Sequence, residues 1–275
     1  RQEVLDSLES EHGECTELNH YTRVEIQVKS RHIKEAFNRA IQALNIFRAF
    51  CAIELNSTGL IAGDYTKPIN KVCLGKVHTL HDVSGKAFNF PAFYEPDFRE
   101  VRIVAKPSTP EIFQKNIITY LNWLAECPFS RKMENFLERF VLALDQPDKN
   151  TSVLKLWALL EQLIGEGNCD LLAKRIAAIH KDKEVTHHII MHIREYRNEH
   201  VHQGLGDDES IHRAYYLQNM FRNMFDFYIR PANNFASITE ANMMLDKMAL
   251  GTDGIKKQIG SLKQSLKFLG EELTE

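Results

Sequence analysis

Residues 152–164, SVLKLWALLEQLI, are apolar on nearly every face of a helix, as the central helix of a bundle must be. Such a segment cannot lie on a surface, because one of its sides would face water at a cost that grows with apolar area. It therefore calls for several amphipathic neighbours. The chain supplies them: 111–127 and 130–144 carry apolar residues at helical spacing. Further on, Leu217, Met220, Phe221, Met224, Phe227 and Tyr228 form a core stripe, and 171–179 is a short helix that Asp170 can cap. The turn 145–152, DQPDKNTS, holds capping residues ahead of the central helix. Glu161 interrupts that helix among Leu154, Trp157, Ala158 and Ile164. An acid there needs a partner; either an ion pair to a lysine or arginine, or a role in orienting Arg197, would provide one.

Upstream the period changes. In 22–30, TRVEIQVKS, Val24, Ile26 and Val28 alternate with Arg23, Glu25, Gln27 and Lys29, which predicts a half-buried strand. A helix is expected over 31–54, with further strands over 71–80 and 100–105, while 1–20 is polar and acidic. Pro107, Ser108 and Pro110 mark the change of composition. The expected architecture is mainly α: a small α+β domain over 1–105, an up-and-down helical bundle over 106–232 and accessory helices over 233–275. In the last of these Ile255, Ile259, Leu262, Leu266, Leu269 and Leu273 step by four and three, a seam for packing on this bundle or, alternatively, for association with a partner or with a second copy.

Composition bounds the function. The 275 residues are 44% hydrophobic and 26% charged, as in globular proteins, and the net charge of −3 argues against a globally basic nucleic-acid binder. Cysteines at 15, 51, 73, 127 and 169 form no C-x-x-C pair, which favours reduced thiols in a cytoplasmic protein over disulfides or zinc. No apolar run reaches membrane-spanning length, so no membrane role is expected. No signal peptide is read, and the chain begins at Arg1 without Met, which leaves an upstream portion open.

The chemistry-bearing residues stand in 184–204, EVTHHIIMHIREYRNEHVHQG. Ile189, Ile190, Ile193, Tyr196 and Val201 recur near helical spacing, and Gly204 supplies a stop. With Ile190 at zero, Arg197 falls inside the apolar arc of roughly 240° to 20°, at roughly 340°, while Asn198 and His202 sit at roughly 80° and 120°. Asn198 and His202 are neighbours four apart, and the long Arg197 side chain can reach round to them. RNA can be cut when its own 2'-hydroxyl attacks the adjacent phosphorus, provided protons are moved and the phosphorane charge is met. Histidine does the first near neutral pH. Arginine, permanently cationic with a planar fork, suits the second. Asparagine can orient either the histidine or the substrate. The same three residues can also simply hydrogen-bond to carbonyls and solvent at a helix end.

R-N-x-x-x-H near the end of a helix resembles the signature of the HEPN superfamily, and the surrounding text is similar to its ApeA-like branch. The pieces that carry the resemblance are SVLKLWALLEQLIG at 152–165, LLAKRIAAI at 171–179 and REYRNEHVHQG at 194–204, within roughly residues 129–230. The resemblance implies a helical bundle that dimerises, an active cleft at the dimer seam and a metal-independent endoribonuclease needing no cofactor, with Arg197, Asn198 and His202 as its catalytic residues. It also implies a toxin or phage-defence effector, with an antitoxin or regulatory partner as a further expectation. A non-catalytic scaffold for dimerisation or for RNA or partner binding is the alternative.

Other residues are weaker signals. His200 projects onto the apolar side, as a structural histidine or a second proton carrier. His188 and His192 are one turn apart, but no H-E-x-x-H acid accompanies them, so a polar helix surface is expected rather than a metal site. Arg213, Tyr216 and Arg222 are read as surface residues of their helix, able to stack on bases.

Overall fold

A computed structural model of the chain describes residues 22–56, 69–75, 77–88, 93–94, 107, 109–165, 169–203 and 209–270. In chain order these form α1 (Ile33–Leu55), β1 (Val77–His78), β2 (Phe93–Tyr94), α2 (Pro110–Glu126), α3 (Ser130–Leu144), α4 (Lys149–Ile164), α5 (Cys169–Ala178), α6 (Lys183–Gln203), α7 (Ser210–Ile229), α8 (Ile238–Ala249) and α9 (Gly251–Phe268).

The all-apolar helix is the centre. α4 packs against α3, α5, α6, α7 and α8. Val153, Leu156, Leu160, Leu163 and Ile164 are wholly buried, with Trp157 and Leu159 nearly so. Both of its ends are satisfied locally. Asp148 accepts the backbone N–H of Thr151 at 2.7 Å and that of Asn150 at 3.3 Å. These bonds hold its carboxyl below the usual carboxylate range, with the Thr151 hydroxyl as the largest cause. At the other end Gly165 takes φ +98°, a conformation that side chains resist. Arg175 Nη1 donates to the Ile164 carbonyl. A Cβ on Gly165 would lie 3.0 Å from that nitrogen. The same guanidinium forms a two-pronged pair with Asp246, at 2.6 and 2.7 Å, which ties α5 to α8.

α1 belongs to this same core. Its Ala49, Phe50, Ala52 and Ile53 are buried together with residues of α3, α4 and α7. Phe50 stacks on Tyr120 of α2 and meets Phe225 of α7 edge-on. Arg48, 3% exposed, grips the end of α3, donating from Nη2 to both oxygens of Asp145 at 2.9 and 2.7 Å. Its other donors go to Asn45 Oδ1 and the Val72 carbonyl, and Asn70 donates to Asp145 Oδ1 at 2.6 Å. A buried charge is tolerated only when its donors are satisfied in this way.

The boundary expected at 107–110 thus falls between helices that share one core. A separate α+β domain is not shown. The helix expected at 31–54 forms, but 22–30 makes no strand among the described residues, with Val24 48% exposed and only Ile26 and Val28 half-buried. Alternation alone does not make a strand; a hydrogen-bonded neighbour does. The strand expected over 71–80 shrinks to Val77–His78, paired antiparallel with Phe93–Tyr94. The expected strand over 100–105 and the acidic lead over 1–20 lie outside the described residues, as does Gly204.

The C-terminal helices divide. α8 buries Ala241 and Leu245, and its Asn242 accepts from the Tyr228 hydroxyl of α7. α9 buries nothing: Ile259 is 47%, Leu262 64% and Leu269 72% exposed. Its seam meets α8 around Ile255 and is largely open beyond it. No helix among the described residues is long and apolar enough to cross a membrane.

Because Arg48 spans 97 residues of sequence to reach Asp145 and leaves a hydrogen-bonded carboxylate behind when truncated, Arg48→Ala is expected to lower the unfolding free energy by about 3 kcal/mol. Urea denaturation followed by circular dichroism checks this.

Candidate functional site

α6 presents a narrow inward stripe. Ile190 and Ile193 are fully enclosed, Tyr196 is 6% exposed, and Thr186 closes the stripe one turn before Ile190. The helix is registered by Tyr196. Its hydroxyl donates to Asn150 Oδ1 in the first turn of α4, and the Arg213 guanidinium of α7 lies 4.0 Å from its ring centroid. A cation over a desolvated aromatic face is attracted by the ring's quadrupole. Three helices therefore converge on one phenol. Arg213 also reaches Glu209 at 3.4 Å and is only 7% exposed, so the expectation that it is a surface residue is corrected. Arg222 pairs with Glu54 of α1 at 4.0 Å, which leaves Tyr216, 48% exposed, as the outward member of that trio.

Immediately after this anchor come Arg197 and Asn198, both half-buried. Arg197 Nη1 donates to Asn198 Oδ1 at 3.0 Å. That bond holds the guanidinium against its neighbour and leaves the Asn198 amide NH₂ as a donor. His202 and His200 follow in the last turn of the same helix; their side chains lie outside the described residues. The backbone keeps Asn198 and His202 one helical turn apart within Lys183–Gln203.

Glu161 is not part of this assembly. It stands near the C-terminal end of α4, eleven residues beyond the Asn150 that receives Tyr196, or about 16 Å of helix rise. It is half-buried, and among the described residues its side chain makes neither an ion pair nor a hydrogen bond. The partner that its place on an apolar helix called for is absent because the bundle leaves that edge of α4 partly open to water.

The N-terminal end of α6 is a different place. A cavity of about 430 Å³ opens there, lined among others by Lys174, Lys183, Glu184, His187 and His188. Asp170 already takes Lys174 and, at 3.2 Å, His187. His188 and His192 are exposed on the helix surface, and among the described residues no three His, Cys, Asp or Glu side chains are grouped to hold a metal ion.

Sequence patterning assigned Tyr196 to the core and Asn150 to a capping turn without connecting them. Their only signal was the polar tip of a residue on a buried stripe, which must find a partner. No protein-family model, curated protein or solved structure matches the chain.

Tyr196→Phe deletes the donor while keeping the ring beneath Arg213. The expected loss of unfolding free energy is about 1 kcal/mol, and amide exchange should rise in the last turns of α6 before it rises in α4. Thermal denaturation and hydrogen-exchange mass spectrometry read the two effects.

Proposed function

We propose that this chain is a metal-independent endoribonuclease of the HEPN type, cutting RNA through attack of a 2'-hydroxyl on its own adjacent phosphate. The observation that carries the reading is the Arg197–Asn198 hydrogen bond of 3.0 Å at the end of a helix anchored by Tyr196. A permanent cation is held there, five residues or roughly 1.4 turns before His202 on the same helix.

In this mechanism His202 takes the 2'-hydroxyl proton as the oxygen bonds to phosphorus. Arg197 meets the charge that gathers on the phosphorane oxygens, and the Asn198 amide orients the histidine or the scissile phosphate. The P–O5' bond breaks, and O5' takes a proton from the histidine that a second copy supplies as the acid. The products are a 2',3'-cyclic phosphate and a 5'-hydroxyl. His200 and Glu161 were supporting candidates; Glu161 is too far along α4 to orient Arg197 directly, so the positioning role passes to Tyr196.

The active unit in this proposal is a homodimer. The stripe of Ile190, Ile193 and Tyr196 faces the chain's own bundle, so the arc that carries Asn198 and His202 needs a second wall to enclose a phosphate. A twofold axis would set that arc against itself, offering two arginines for one phosphate and two histidines to divide the acid and base roles. A cytoplasmic toxin or phage-defence effector, restrained by an antitoxin or other regulatory partner, is the setting such an activity suits.

Arg197→Ala and His202→Ala should each abolish RNA cleavage and any toxicity on expression, with the melting temperature of His202→Ala within a few degrees of the parent because, at 100° per residue, position 202 falls off the core stripe. Adding excess His202→Ala protein to the parent chain should lower cleavage through mixed dimers, with mass followed by light scattering. Cleavage retained in both single variants would remove Arg197 and His202 from the chemistry, and no cleavage by the parent chain would favour the non-catalytic scaffold. A strictly monomeric parent that cleaves at full rate, untouched by the variant, would remove the shared cleft.

A further inference from the structure

α9 is an eighteen-residue helix with a heptad apolar seam and not one buried residue. It packs on α8, and its half-buried positions are few, among them Gly254 and Ile255 in its first turns and Leu266 further on. Beyond Ile255 the seam is open, with Ile259, Leu262 and Leu269 all close to half exposed or more. A helix of this length is marginal alone in water, and apolar residues repeated at four-three spacing stabilise it only when a second surface covers them.

The charges around the seam say what that surface carries. With Ile255 at zero, the five seam residues from Ile255 to Leu269 lie within roughly 40° on either side. Lys256, Lys263 and Lys267 all fall on one flank, at roughly 80° to 120°. The opposite flank, at roughly 240° to 300°, holds Gln258, Ser261 and Ser265 and no charge. α9 as a whole has four lysines against the single acid Asp253.

A second copy matches this poorly. Paired antiparallel, the lysine flank would meet itself; paired parallel, Lys256 and Lys263 would face glycine, glutamine or serine with no charge partner. A lipid surface favours a wide apolar face with cations along both margins, whereas here one margin is uncharged. A helix whose own seam is bordered by Glu or Asp satisfies both the apolar residues and the one-sided lysines.

We propose that α9 is a docking helix for a protein partner that presents an amphipathic helix with an acidic flank. The seam supplies burial. Lys256 and Lys263, seven residues apart, set register and choice of partner by facing carboxylates at the same spacing. This surface is independent of the RNA-cleaving site, so its test can fail without touching that proposal.

The full chain is titrated, by fluorescence anisotropy at low salt, against two labelled synthetic heptad-repeat peptides with Leu at every a and d position. One carries Glu at e and g, the other Lys. The Glu peptide should bind about tenfold or more tightly than the Lys peptide, and the gap should shrink as salt rises. In the double variant Lys256→Glu/Lys263→Glu the preference should reverse. Leu262→Asp should lose both peptides while the melting temperature of the bundle stays unchanged, since nothing on α9 is buried. Equal affinity for the two peptides, or binding of neither, overturns the proposal. So does a mass in light scattering that falls on Leu262→Asp alone, which assigns the seam to a second copy. Cosedimentation with phosphatidylserine vesicles that Leu262→Asp abolishes, without any choice between the peptides, assigns it to lipid.

Discussion

Everything in this fold answers to the burial of α4. A helix apolar on nearly all sides has little to give to water beyond the edge at Lys155 and Glu161, so α3, α5, α6, α7 and α8 are each drawn against it. Its two ends are then the places where polar chemistry must be arranged by hand. Asp148 and Asn150 serve the N-terminal end, and Gly165 with Arg175 serves the C-terminal end. The candidate site is a consequence of the first arrangement. Tyr196 reaches Asn150, which exists in that place because α4 begins there, and Arg197 and Asn198 stand next to Tyr196 in the chain. The position of the cation is therefore inherited from the central helix through one phenol.

Polar ties add to apolar burial in joining the outer helices to that centre. Arg48 with Asp145 fastens α1, and Arg175 with Asp246 fastens α8. Arg175 forks onto its carboxylate through two nitrogens, whereas Arg48 gives both Asp145 oxygens one nitrogen and spends its other donors on Asn45 and the Val72 carbonyl. Where no such tie exists the chain is left outside. α9 continues from α8 with a regular seam, yet no residue on it is paired into the core.

How much of this was legible beforehand follows from the range of each interaction. The central helix, its capping turn and the stripe of α7 are local patterns, and periodicity within a few turns reveals them: Val153, Leu156 and Leu160 read as core and are core. The α1 helix was legible too, but not its membership of the bundle, because that rests on contacts such as Arg48 to Asp145 across 97 residues. The alternation of Val24, Ile26 and Val28 was misleading for the same reason, since a strand is a statement about a neighbour that the segment itself does not contain. At the site, the placing of Arg197, Asn198 and His202 on one helix end was read from spacing, whereas the burial of Arg213 over Tyr196 was not. An arginine in a mixed sequence looks solvent-facing until a ring is known to lie beneath it.

If Arg197, Asn198 and His202 of two facing copies move the protons and hold the charge while RNA cuts itself, as proposed, the reaction needs no metal ion. The most direct measurement is incubation of the purified chain with end-labelled RNA in EDTA, followed by mass analysis of the new ends. Cleavage is expected to persist and to leave 2',3'-cyclic phosphate beside 5'-hydroxyl ends. A requirement for magnesium, with 5'-phosphate products, would contradict it, because that outcome belongs to metal-activated water rather than to the 2'-hydroxyl.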